Sequence, residues 1–590
     1  RRLVPYECVF CHNGYPQTPV NGAPGAEPVF SGELPQGIDC QRCHGPGGSH
    51  VAVAGSRGAT PDQIRATIVN PARLSPKQRL DLCSQCHLET TSTAFPALVR
   101  RFNRGPFSFV PGEHLADFEL SFDHAPGTGR DDKFEIVGSS AYRLRKSVCF
   151  RESKGALSCE TCHDPHRVPS PEGAIRRYSQ VCRQCHTTAF SELVSRGAHP
   201  RAEDCVSCHM PKRRTEDVVH VVMTDHLIQR RPPSRDLLAD LPERHPTEAE
   251  EYHGEVVAYD PPALPRNGPD ALYLALAQLL MQNNLRAGVV ELDRLLTAQQ
   301  PAEAEWYIQL GNAWLSSGEP RKASAAYERA IHLKPRSVQA LQALAQALRA
   351  SGDTTRAGEV LGRAVQINPS EAAPWYQLAT LASGSGRLKE ALELLEKTIK
   401  LDSDLPGAYT TMAATRAAAG QSGAAQDALR EALRIDPYDA AAWDLAGRAL
   451  AEKGQFPESL YNFQKANYYR PNFAPYLYEY GAALSSAGEL ERAQEMADAA
   501  LKADPGLAEA HVLRGRLLVH KRQLAEAATE YRKAIGLRPD FARIHLDLAS
   551  VLAAEGEMEQ AVEQLREASK SNDPETARLA FDALQRLGRR

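Results

Sequence analysis

With 590 residues the chain is long enough for two or more domains with sizeable cores. Its 69 Lys and Arg against 73 Asp and Glu leave a net charge of −4, which excludes the basic footprint of a nucleic-acid binder. No apolar run reaches the roughly 18 residues of a membrane helix, so no transmembrane segment is predicted.

Residues 1–232 are organised by one motif. Cys-x-x-Cys-His occurs at Cys8/Cys11/His12, Cys40/Cys43/His44, Cys83/Cys86/His87, Cys159/Cys162/His163, Cys182/Cys185/His186 and Cys205/Cys208/His209. This is the attachment signature of c-type haem. The two thiols form thioethers with the haem vinyl groups, and the histidine binds iron from one side. Paired cysteines also build structural zinc sites. Zinc needs no histidine directly after the second cysteine, and here one follows every copy. The reading is six covalent haem c groups. Of the 13 cysteines only Cys149 is left over. It reads as a small buried apolar residue, with pairing between molecules as the alternative.

Haem c is attached outside the cytoplasm, which predicts a periplasmic or extracellular protein. The chain opens Arg1-Arg2-Leu3-Val4-Pro5 and reaches a motif almost at once, so an export signal and further chain are expected upstream. The segment is rich in Gly, Pro and short polar runs and poor in periodicity, which predicts short helices near the motifs joined by long loops. All four tryptophans lie beyond residue 300. Such a half is expected to rely on porphyrins for its hydrophobic core.

Each iron needs a second ligand to be six-coordinate. The candidates outside the motifs are His50, His114, His124, His166, His199, His220, His226, His245 and His253. His50 and His166 sit too close to their own motif histidine to cross to the opposite face of the same haem, so they are expected to ligate a neighbour. His199, His220 and His226 flank the last motif, and His124 lies between the third and fourth. Arg outnumbers Lys here, and a guanidinium binds a propionate bidentately. Arg143, Arg145, Arg176, Arg177, Arg213 and Arg214 are candidate propionate partners, with a solvated charge the alternative for each.

Cys40-Gln-Arg-Cys-His-Gly-Pro-Gly-Gly-Ser-His50, Cys159-Glu-Thr-Cys-His-Asp-Pro-His166 and Cys205-Val-Ser-Cys-His-Met-Pro-Lys212 resemble the multihaem cytochrome c superfamily of the nitrifier tetrahaem cytochromes and cytochrome c nitrite reductases. Asp217 to His220 and Asp225-His226, running on to Pro232, resemble the end of such domains where tetratricopeptide repeats are fused behind. The resemblance implies stacked haem pairs, with His50, His166, His199 and His226 as distal ligands. Catalytic nitrite reductases of the superfamily bind their active haem through Cys-x-x-Cys-Lys, which is missing here. A hydroxylamine-oxidising relative would need a tyrosine crosslinked to its catalytic haem, and nothing marks Tyr6, Tyr15, Tyr142 or Tyr178 for that.

Residues 233–268 are Pro-rich and charged, and read as an extended linker over the haem domain. From 269 to 590 the chain is Ala- and Leu-rich and periodic at 34 residues. Pro335, Pro369, Pro437, Pro471, Pro505 and Pro539 fall on one comb, with Ser403 in the gap. Gly318, Gly352, Gly386, Gly420, Gly454, Gly488 and Gly556 fall on another, with Arg522 the exception. These combs are the signature of tetratricopeptide repeats. About nine are expected, with a capping helix at the end. The fold class is therefore mainly α: a loop-rich multihaem domain followed by an α-solenoid.

The leading function is an exported electron carrier, not an enzyme, whose repeats dock a redox partner protein, a peptide in the concave face, or further copies of itself. A filament of stacked haem domains is a special case. The alternative is an oxidoreductase acting on a small nitrogen or sulfur compound at one open haem.

Overall fold

A computed structural model describes residues 6–16, 30, 33–92, 94–201, 204–231, 233–243 and 252–588. The chain is mainly helical, 61% helix and 4% strand. It divides into two compact units, Arg2–Val360 and Leu361–Arg590, and the division falls inside a helix, Thr354–Ile367, rather than in the Pro-rich stretch.

In the first unit the motifs ride on α1 (Tyr6–His12), α2 (Gln41–His44), α5 (Pro76–His87), α8 (Cys159–Cys162), α9 (Pro171–Ser195) and α10 (Val206–His209). Between them lie α3 (Gly48–Ala54), α4 (Pro61–Arg65), α6 (Ala141–Lys146) and α7 (Val148–Glu152). Local chemistry sets their starts. Ser75 accepts from Gln78 N and the Gln78 side chain returns to the Ser75 amide, a capping box that opens α5. Ser170 accepts from Gly173 N ahead of Pro171 to open α9. Short helices were expected throughout, but α9 runs 25 residues, because no proline follows Pro171 until the chain turns at Gly197.

β1 (Leu98–Arg100), β2 (Glu119–His124) and β5 (Val256–Asp260) form an antiparallel sheet with β2 in the centre. β3 (Lys212–Arg214) and β4 (Val222–Thr224) form a separate hairpin. The stretch expected to be a tether thus supplies an edge strand, and Asp260 on it binds Arg145 at 2.7 Å. Leu120 and Phe122 on β2 are fully buried, and Phe10, Leu82, Phe109, Leu115 and Phe118 make a core against which Cys11 and Cys43 pack. Contrary to expectation, then, this half has an apolar core of its own. α9 stands outside it: Ser179 is its one buried residue among those described.

Two helix pairs follow in the same unit, α11 (Pro269–Leu279) with α12 (Leu285–Gln299) and α13 (Ala304–Ser316) with α14 (Pro320–Leu333), and then α15 (Val338–Ala350), with α16 (Thr354–Ile367) carrying the division. α11 is joined to the sheet, since the Gln278 side chain accepts from Val256 N at 3.0 Å and donates to Val256 O at 2.6 Å. The Tyr273 hydroxyl accepts from Phe102 N at 2.7 Å, and Phe102 packs on Trp306 at 4.5 Å.

The second unit holds six more helix pairs, from Ala372–Gly384 with Leu388–Leu401 to Arg543–Ala554 with Met558–Ser569, and then a last helix, Pro574–Arg586. One latch recurs. Trp375 Nε1 donates to Pro369 O at 3.0 Å, Trp443 Nε1 to Pro437 O at 2.9 Å, and His511 Nε2 takes the same place on Pro505 O at 3.0 Å. His511 is therefore a packing residue, held from its other side by Glu530 at 2.6 Å.

Candidate metal centres

A helical turn puts residues i, i+3 and i+4 on one face. Cys-x-x-Cys-His on a turn of helix therefore presents both thiols and the imidazole together, and the motifs sit on or at the ends of helices. Of the twelve motif cysteines, Cys8, Cys40, Cys185 and Cys208 are exposed and the other eight are half-buried. Neighbouring motifs touch through sulfur. A hydrogen bond to Cys86, and then burial, push the Cys11 thiol up, and Cys83 stands in the same relation to Cys159. Burial, and then nearby Cys205, push Cys182 up to about 11.

Three pairs of imidazoles face one another. His44 and His166 have ring centroids 6.1 Å apart with planes 22° from parallel. His163 and His226 are 6.3 Å apart at 34°, and His209 and His199 are 6.0 Å apart at 16°. Each pair joins one motif histidine to one histidine from outside the motifs. An ion held by two imidazole nitrogens at about 2 Å each separates the ring centres by roughly 6 Å. Direct stacking is closer, as between Phe95 and His124 at 4.1 Å.

Hydrogen bonds fix which nitrogen is free. His44 Nδ1 bonds Val69 O at 2.9 Å while Val69 N donates to His44 O at 3.0 Å. His209 and Gln229 repeat this, with Nδ1 to Gln229 O at 2.7 Å and Gln229 N to His209 O at 2.9 Å. His226 Nδ1 bonds Thr224 O at 3.1 Å, and His199 Nδ1 bonds Pro200 O at 2.7 Å. A ring anchored through Nδ1–H presents Nε2 as the ligand. Burial, and next the neighbouring His163, hold His226 below the usual histidine range, in the neutral form that binds metal. These residues fit haem c: paired thiols on one helical face, and imidazoles opposed at the spacing of two axial ligands.

The remaining candidates fall differently. His50 has its Nδ1 anchored to Ile64 O and Thr67 Oγ1, and no imidazole is recorded facing it among the described residues. His12, His87, His186 and His220 are exposed. His114 bonds the fully buried Asp81 at 3.2 Å. His253 is exposed, and His245 lies outside the described residues.

His124, expected as a distal ligand, faces Phe95 and Tyr252 rather than another imidazole among the described residues. Its ring is buried between Phe95 and Tyr252, its Nδ1 bonds Lys133 Nζ at 2.8 Å, and its Nε2 is sealed from solvent. Asp123 beside it is depressed to about 2: burial opposes the carboxylate, but hydrogen bonds from His124, Lys133 and Tyr142 outweigh that. This is a packed polar cluster of the sheet.

Four of the six candidate arginines are engaged by carboxylates of the chain itself. Arg143 is 1% exposed and binds the equally buried Asp225 through two bonds of 2.9 and 2.6 Å, with Asp132 on Nη1. Arg145 binds Asp260, Arg213 binds Asp132 and Glu216, and Arg214 binds Asp240. Arg177 alone of the six lies near enough to lower both the Cys162 thiol and His163.

The comparisons match a segment of the first half and most of the repeats. Residues 153–190, covering the fourth and fifth motifs, match the doubled CXXCH motif. Residues 271–470 match the cilia and flagella-associated protein 70 C-terminal domain, and residues 481–542 and 518–586 match tetratricopeptide repeats. No curated protein matches the chain. Among solved structures, the APC/C hetero-tetramer Cut9-Hcn1 is 15% identical with a TM-score of 0.39, over 48% of this chain and 56% of that one. The chain thus spans little more than half the length of that relative. YrrB, a TPR protein with an unusual peptide-binding site, is 25% identical with a TM-score of 0.27, over 34% and 99%. A tetratricopeptide repeat protein from Parabacteroides merdae is 16% identical with a TM-score of 0.35, over 42% and 98%. Tetratricopeptide repeats and a doubled Cys-x-x-Cys-His motif stand in one chain.

Proposed function

We propose that the protein is an exported multihaem cytochrome that carries electrons, with its repeats as the docking surface for a protein partner. The observation that carries this is the set of three facing histidine pairs, each uniting a motif histidine with one from elsewhere. At the three sites so paired, an iron held by both imidazoles would have no position for substrate, which suits outer-sphere electron transfer over catalysis. Haem c would supply one-electron chemistry at iron; the chain would supply the thiols, the paired imidazoles that hold the iron and the carbonyls that orient them. Six motifs support six haems in residues 1–232, and attachment of haem c supports a periplasmic or cell-surface location. Stacking of copies into a filament is the form this function takes if a distal histidine comes from a neighbouring copy.

The test is a pyridine haemochrome count followed by low-temperature EPR of the oxidised protein. Six haems per chain with low-spin signals only is the expected result. A high-spin signal near one haem equivalent would turn the reading to an oxidoreductase and call for nitrite, hydroxylamine and sulfite assays.

A further inference from the structure

Two of the ligand segments are shared between sites. His163 and His166 belong to one stretch, Cys162-His163-Asp164-Pro165-His166, directly after α8. His163 faces His226 and so serves the fourth motif's site, whereas His166 faces His44 and serves the second's. Three residues span at most about 10 Å of extended chain, so these imidazoles stay neighbours in any conformation. Asp164 fixes the bend, since its Oδ1 accepts from His166 N at 3.0 Å.

The second shared segment is the β3–β4 hairpin. His209 stands just before β3 and His226 just after β4, and the hairpin's pairing from Lys212↔Thr224 to Arg214↔Val222 returns the chain to its start. Asp225 N donates to Pro211 O at 3.0 Å, and the paired bonds between His209 and Gln229 close the loop beyond His226. Ser147 clamps the same segment, its Oγ accepting from Ile228 N at 2.8 Å and donating to His226 O at 3.2 Å. His226 serves the fourth site and His209 the sixth.

We infer that the second, fourth and sixth iron sites form one row with the fourth in the middle, joined on one side by the His163–His166 segment and on the other by the β3–β4 hairpin. Chain order alone would have placed the fifth motif between the fourth and sixth. Cys182 of the fifth motif does lie against Cys205 of the sixth, but none of the three facing pairs includes the fifth motif's histidine, and the shared ligand segments run between alternate motifs. The inference rests on the haem c reading of the motifs and adds the order of the sites.

The test uses the full-length holoprotein and EPR-monitored redox titration. His166→Ala, His226→Ala and His199→Ala each remove one distal imidazole while the thioethers keep the haem, so each variant labels its own site by turning it high-spin. With the three components assigned, the His226→Ala variant is expected to shift the midpoints of both the second and the sixth. The His166→Ala and His199→Ala variants are each expected to shift the fourth and to leave the other end unmoved. An end variant that moves the other end but not the fourth, or a fourth-site variant that moves neither neighbour, overturns the order. Methionine in place of each histidine repeats the matrix with a six-coordinate iron should an alanine variant misfold. Wild-type protein that carries no covalent haem removes the reading beneath the inference, and it is scored first.

Discussion

At the scale of single residues, the buried Arg143–Asp225 pair does the work assigned by sequence to a propionate contact. A guanidinium satisfies a carboxylate from either source with the same fork, so sequence could not choose between them. Removing one partner strands the other charge in the core, at a cost of about 3–5 kcal/mol. Arg143→Met is therefore expected to lower the thermal unfolding temperature sharply and, because Asp225 precedes His226, to perturb the spectrum of one haem. Asp444 behaves differently. It is buried on helix Ala440–Ala451 with no hydrogen bond to Oδ1, and burial, opposed by Arg448 and reinforced by Glu479, pushes it up to about 7. A carboxyl raised on folding costs nothing below its unfolded pKa, and its penalty grows until pH passes the folded value. Asp444→Asn should thus raise the melting temperature at pH 8 and leave it unchanged near pH 4. The glycine comb has a similar test at its exception. Arg522 holds φ at 60° where Gly454 holds 72°. The left-handed region costs a residue with a Cβ about 1 kcal/mol, so Arg522→Gly is expected to stabilise by up to that amount in denaturant unfolding.

At the scale of elements, the repeats were legible because close helix packing tolerates few residues at fixed places. A Cβ on Gly515 would stand 2.6 Å from the Tyr531 ring. Alanine normally favours a helix over glycine by about 1 kcal/mol, but overpacking costs about 1–3 kcal/mol. Gly515→Ala is expected to destabilise, read as a lower midpoint in urea. The facing histidine pairs were legible in their members His166, His199 and His226 but not in their pairing, which long-range folding decides. The anchors Val69 and Gln229 left no trace in sequence, because backbone carbonyls do that work and any residue carries one. α9 offers a folding test of the proposed haem. A helix with a single buried side chain has no packing to hold it, and isolated helices are marginal in water. Replacing Cys182 and Cys185 by alanine should open residues 171–195 to limited proteolysis while the repeats stay resistant.

At the scale of the molecule, the Pro-rich stretch was misread because prolines predict extension but not what the extended chain pairs with. β5 completes the sheet, and α11 is tied to it through Gln278. A fragment ending at residue 232 is expected to lose cooperative unfolding, and one ending after Leu333 to keep it, by calorimetry at equal haem content. The β3–β4 hairpin carries a consequence for how the protein is made. His226 is translated after the fifth and sixth motifs, although on the inferred order it completes the fourth site. In a chain that emerges from its N-terminus, the second site can close as soon as His166 is out, while the fourth waits with one imidazole until the hairpin has formed. The middle of the row is then the last of its three sites to finish, and a stalled or clipped chain lacking residue 226 is left with an interrupted row rather than a shorter one.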